Sequence, residues 1–144
     1  MIKKTIISLF LCLTLILTIS ACTNNSNEDD ILDLTSFGDV MVYGIIVDML
    51  TDPEDYVGRT VKVNGLYEPF FSEDTERYHH FVKIVGSATC CPQFLEFKWN
   101  EGNTPDDYPE TGTEIEMVGI FGTYNEAMFI GLPYLAVDDI LIVE

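Results

Sequence analysis

The stretch from Thr5 to Ile19, TIISLFLCLTLILTI, constrains this chain more than any other. It carries no charge, follows Lys3 and Lys4, and gives way to the small residues Ser20 and Ala21. A basic start, an apolar centre and a small-residue cut site make a secretory leader, and about 15 apolar residues fall short of the ~20 that a membrane-crossing helix needs. The sequence therefore predicts a cleaved signal peptide over residues 1–21 and a domain that works outside the cytoplasm.

The cut site adds detail. Ile19-Ser20-Ala21-Cys22 resembles a bacterial lipobox, in which the cysteine receives a diacylglyceryl group and becomes the new N-terminus. That resemblance implies lipidation of Cys22 and a lipoprotein held at the cell membrane, on its extracytoplasmic side, by fatty-acyl chains of the palmitate type. Two acyl chains meet the requirement for stable anchoring that one chain fails.

Removal of residues 1–21 leaves 123 residues, a usual size for one domain with one core. Residues 22–35 open with TNNSNEDD after the lipidated cysteine and read as a flexible acidic spacer, with the folded domain over 36–144. Loss of Lys3 and Lys4 leaves five basic residues against 24 acidic ones, a net charge of −19. So acidic a surface repels phosphate backbones, which argues against nucleic acid as a partner and favours cations, basic partners or simply the solubility of a tethered domain.

Residues 36–50, SFGDVMVYGIIVDML, place Val42, Ile45, Ile46, Met49 and Leu50 at helical spacing, with Ser36 and Asp39 as candidate caps and Asp52-Pro53 as the stop. Downstream, five strands are predicted at Arg59–Tyr67, Tyr78–Val85, Gln93–Trp99, Glu114–Tyr124 and Leu132–Val143, separated by polar and glycine-bearing turns. Ile115, Met117 and Phe121 fall on one strand face and Glu114 and Glu116 on the other. Gly65 and Gly119 lie inside strands, where glycine marks a bulge or sharp coiling. The expected fold is mainly β: a five-stranded OB-like barrel preceded by one short α-helix, after the signal peptide. An open antiparallel sheet packed on the helix is the alternative.

PEDYVGRTVKVNGLY (53–67), FVKIVGSATCCPQFLEFKW (81–99) and YPETGTEIEMVGIFGTY (108–124) occur in this order. Together they resemble a group of bacterial lipoproteins and permease-associated proteins whose OB-like domain carries a Tyr-x-Gly-Lys-x-Val stretch, a Cys-Cys pair and a glycine-flanked β stretch. Arg59 stands where lysine is commoner in that group, and Pro92 and Phe94 where small residues are usual. The resemblance implies an OB-like fold beside a membrane transport complex, with a permease or another protein as partner.

With Cys12 in the leader and Cys22 under lipid, Cys90 and Cys91 are the folded domain's thiols, so a long-range disulfide framework is excluded. Three readings of the pair stay open. A disulfide between neighbours spans ~3.8 Å between Cα atoms where ~4.4 Å or more is relaxed, so it would be strained and redox-active. Ligation of zinc or another thiophilic ion needs a bulge that turns both thiols one way, plus further ligands. Otherwise they pack as small hydrophobes. His79 and His80 are candidate ligands by residue type, as is Glu96 downstream of the pair. Hairpin register, however, sets the histidines on the order of 20 Å from Cys90, about six residues at ~3.3 Å each.

The aromatic residues Tyr56, Tyr67, Phe70, Phe71, Tyr78, Trp99 and Tyr124 are candidates for an OB-type binding face. No nucleophile–base motif, phosphate-binding glycine loop or zinc-protease helix occurs in the sequence. These features predict a lipid-anchored, extracytoplasmic, non-catalytic binding module. A thiol-dependent zinc or redox protein using Cys90 and Cys91 is the rival.

Overall fold

The computed structural model describes residues 31–86, 91–99 and 104–143. The leader, Cys22, Cys90 and the predicted spacer before Ile31 lie outside the described residues.

The fold is mainly β, with six strands in one sheet and one α-helix among the described residues. The strands are β1 (Ile31–Asp33), β2 (Thr60–Ser72), β3 (Arg77–Ile84), β4 (Gln93–Trp99), β5 (Glu114–Glu126) and β6 (Phe129–Ile142), and helix α1 covers Asp39–Thr51. All five strands read from the sequence are present. The sheet order is β1-β2-β3-β4-β6-β5, and β5 pairs again with β2, so the pairings of β2 to β6 return to their start. Four of the contacts in that ring are antiparallel, while β4 and β6 run parallel.

Two boundaries differ from the sequence reading. The spacer expected over 22–35 ends earlier, because Ile31–Asp33 pairs in parallel with Thr60–Lys62 and Leu34 is buried in the core. Asp33 then caps a 3-10 turn over Leu34–Ser36 by accepting from the Thr35 N–H at 3.0 Å. Helix α1 accordingly begins after Gly38, without a side-chain cap; Ser36 donates instead to the Asp33 carbonyl, and Asp39 sits in the first turn.

Strand β2 also runs five residues past Tyr67, through Pro69. Its first half, Thr60–Leu66, pairs with β5, and its second half, Leu66–Ser72, pairs with β3. The Tyr67 N–H and carbonyl both point toward the β5 side, to Thr113 and Gly112. Two residues on, the nitrogen of Pro69 faces that same side, where no strand pairs with β2 beyond Leu66 among the described residues. Its missing donor therefore costs the ladder nothing.

Alternation decides which side chains fill the core. Val61, Val63, Val82, Ile84, Leu95, Phe97, Ile115, Met117, Phe121, Leu135 and Val137 line the inner face, and Ile46 and Met49 of α1 close it. Val42, Ile45 and Leu50 pack at its margin, as the helical spacing predicts. Two strand glycines permit the tight curl. A Cβ on Gly65 would lie 2.7 Å from the Lys83 carbonyl oxygen, and one on Gly119 would lie 2.6 Å from that of Ala136. Gly119 also adjoins the register shift between β5 and β6.

Candidate functional site

Successive residues of β3 and β4 face opposite sides of the sheet, and that alternation separates the two histidines. His80 points inward. Its Nδ1 lies 2.7 Å from the Tyr67 hydroxyl, and its ring stacks on Tyr108 at 3.7 Å between centroids, beside Phe97. Burial lowers its pKa below the ordinary imidazole value of 6.5, with nearby His79 adding to the effect and Glu96 opposing it. Burial likewise pushes the Tyr67 phenol up to about 12, helped by Tyr108.

A histidine held neutral in the fold must gain a proton on unfolding in acid. The unfolded chain thus binds more protons between the lowered pKa and 6.5, so His80's contribution is complete above 6.5 and is lost as pH falls below it. Urea unfolding is expected to show stability falling from pH 7.5 to pH 5, with a shallower slope in His80→Phe, which keeps a ring on Tyr108. An unchanged slope would remove this assignment.

His79 points outward, into a groove of about 560 Å³. The β3–β4 register pairs Phe81 with Glu96 and His80 with Phe97, which sets His79 diagonally across from Glu96 on one face. The His79 Nδ1 lies 2.9 Å from Glu96 Oε1, and the Tyr124 hydroxyl donates to Glu96 Oε2 at 2.6 Å. Although it stands on the outer face, Glu96 is only 8% exposed, because these two side chains cover it. The second nitrogen of His79 lies 3.2 Å from Thr75 Oγ1 and 3.7 Å from Glu126 Oε2. Arg77 holds the other oxygen of Glu126 at 2.6 Å.

Tyr124 completes the floor. Lys98 Nζ lies 3.0 Å from the centre of its ring and 4.7 Å from that of Tyr134. Burial lowers the Lys98 pKa, with Glu96 opposing, and raises that of the Tyr124 phenol, with the Glu96 hydrogen bond adding to it. The walls are apolar: Phe70, Phe81, Phe94, Phe129 and Leu132 line the groove. At the β5–β6 hairpin, Met128 and Ile130 are 91% and 86% exposed.

Thr75, His79 and Glu96 fall in the order hydroxyl, imidazole, carboxylate that activates a nucleophile. The sequence carried no such motif, and only the β2–β3 turn brings Thr75 to His79. The Glu126 carboxylate beside Nε2 opposes acyl transfer, because an oxyanion developing near Thr75 would meet negative charge rather than donors. The arrangement is suited to holding hydrogen-bond donors.

Among the sequence candidates, the structure brings His79 and Glu96 together and puts His80 on the other face. Cys91 is exposed at the far end of the β3–β4 hairpin, two residues before Gln93, which pairs with Ile84. Its carbonyl accepts from the Tyr43 hydroxyl at 3.1 Å, and Gln93 Nε2 donates to that same hydroxyl at 2.8 Å. Cys22 and Cys90 lie outside the described residues. Among the described residues, no three His, Cys, Asp or Glu side chains gather as a metal-ion cluster. The aromatic candidates divide: Tyr67 is buried in the core with Tyr56 and Trp99 packed against it, Phe70 and Tyr124 line the groove, and Phe71 and Tyr78 pair with each other at 5.1 Å.

Thr75, Arg77, Tyr124 and Glu126 were not singled out by sequence as members of a polar site. For Tyr124 and Glu126 the signal was their i, i+2 spacing, which puts both on one strand face. No protein-family model matches the chain, and no curated protein matches it. The groove therefore carries the functional argument.

Proposed function

We propose that this chain is a binding module of OB type, lipid-anchored through Cys22 on the extracytoplasmic side of the cell membrane, and that it receives a ligand in the outer groove without catalysing a reaction. The returning order of strand pairings and the parallel β4–β6 contact support an OB-like barrel. The observation that carries the binding reading is the groove itself. Its floor is preorganised, since Glu96 is fixed by two short hydrogen bonds, and its walls keep large apolar side chains in water, Phe129 at 62% exposure and Phe70 at 62%. Solvent-exposed aromatic walls around a few convergent polar groups are what small-ligand sites share. The leader sequence and the polar spacer support the anchor, and the resemblance to permease-associated lipoproteins supports a place beside a transport complex. No helix among the described residues is long and apolar enough to cross a membrane.

Both parts are open to one set of measurements. Cys22→Ala is expected to move the chain from the membrane to the soluble fraction, and unchanged partitioning would sink the anchor. Thermal-shift screening of the full chain with small aromatic compounds is expected to return stabilising compounds whose effect is lost in Phe129→Asp. A screen with no such compound would sink the groove as the binding site.

A further inference from the structure

Every charged side chain that lines the groove, His79 apart, is a carboxylate: Asp74, Glu96 and Glu126. Of the nearby cations, Lys98 lies over the Tyr124 ring and Arg77 pairs with Glu126 at Oε1, which leaves Oε2 on the His79 side.

A count of hydrogens sharpens this. The single hydrogen of the Tyr124 hydroxyl goes to Glu96 Oε2 at 2.6 Å, so the 3.5 Å approach of that hydroxyl to Glu126 Oε2 is left without one. With Glu96 an acceptor at Oε1, a neutral His79 carries its hydrogen on Nδ1 and turns the Nε2 lone pair toward Thr75 and Glu126. The Thr75 hydroxyl can donate once, to Nε2. Glu126 Oε2 and the Thr75 oxygen then face the same space as acceptors, beside an imidazole nitrogen that is an acceptor too. The Glu126 carboxylate oxygen, 3.7 Å from the imidazole nitrogen and near the Thr75 hydroxyl, is a place where a positively charged donor is stabilised.

We infer that the groove takes a small amphipathic organic ammonium, whose N–H groups engage Glu126 Oε2 and Thr75 Oγ1 while its apolar body lies against Phe70, Phe94 and Phe129. This rests on the groove being a binding site, as proposed above. An ammonium supplies three donors and a full charge at the point of acceptor excess, and aromatic walls attract cations through their ring faces as well as apolar bodies by burial. The field of a chain with net charge −17 concentrates cations near it.

The test is isothermal titration of the full chain in a neutral detergent at pH 8. The probes are phenethylammonium, its neutral isostere 2-phenylethanol, and 3-phenylpropanoate. The ammonium is expected to bind at least about tenfold more tightly than the alcohol, which is the scale of one charge-assisted hydrogen bond, and the carboxylate not at all. Glu126→Gln is expected to erase that preference and Thr75→Val to reduce it. Equal binding of ammonium and alcohol would overturn the ammonium assignment and leave the groove a binding site. Binding of none of the probes would overturn both. Binding of a lysine-bearing aromatic peptide without any response to phenethylammonium would assign the groove to a protein partner and overturn the small-molecule reading.

Discussion

Gly119→Ala is expected to destabilise the fold by about 2–3 kcal/mol, at the upper end of the range for overpacked cores. The added methyl would lie 2.6 Å from the Ala136 carbonyl oxygen and 2.7 Å from Val137 Cγ1, closer than real Cβ atoms approach such neighbours. Relief cannot come from a flexible side chain, because the nearest atom is backbone. Nor can β5 move off β6 without disturbing β2, since Gly119 pairs with Val137 on one side and Val61 on the other. Alanine also reduces the entropy of the unfolded chain, which offsets roughly 0.5 kcal/mol of the loss. Urea titration followed by tryptophan fluorescence measures the shift, and a midpoint equal to that of the parent chain would show that the sheet can relax there. Gly65→Ala, with its Cβ 2.7 Å from the Lys83 carbonyl oxygen, is the companion case on β2.

Glu96→Ala is expected to cost about 3 kcal/mol, which is the loss of two hydrogen bonds to a charged acceptor less the relief of one desolvated carboxylate. His79 Nδ1 and the Tyr124 hydroxyl would both lose their acceptor in a place that water reaches poorly. Glu96→Gln separates this from simple loss of volume. Its amide oxygen still accepts from His79, and its NH2 can donate to the Tyr124 oxygen, which frees the phenolic hydrogen for Glu126 at 3.5 Å. That variant should cost less than about 1 kcal/mol. Phenolate absorbance provides an independent readout: in Glu96→Ala the Tyr124 pKa falls but stays above the ordinary phenol value, because burial, the larger cause of its rise, remains. Equal stability of the alanine and glutamine variants would show that the hydrogen bonds do not hold the floor.

Much of the fold was legible because its signals are local. Helix α1 announced itself by the spacing of Val42, Ile46 and Met49, and Gly65 and Gly119 marked two places where the neighbouring strand leaves no room for a Cβ. Strand β1 was missed because three residues pairing in parallel with a partner 29 positions away leave no periodic trace. The extension of β2 was missed because Pro69 reads as a strand breaker until it is known which edge its nitrogen faces.

The site was half legible. The hairpin register that sets His80 far from the cysteines also sets His79 diagonal to Glu96, so that pair was within reach of sequence reasoning. Tyr124 and Glu126 were not, because their place beside β4 depends on β6 lying parallel between them, a choice made by the whole sheet.

Pro69 has a second effect. The arm of β2 beyond Tyr67 carries Phe70 and Phe71, both exposed, and among the described residues it has β3 on one side only. An open strand edge with aromatic side chains in water invites another chain to add a strand, and such edges seed aggregation. Pro69 withdraws one of the N–H groups on that edge, so a new ladder would carry a gap beside Phe70. The chain can therefore keep its aromatic residues in solvent, available to a ligand, while the backbone edge beside them is a poorer template for a second copy of itself.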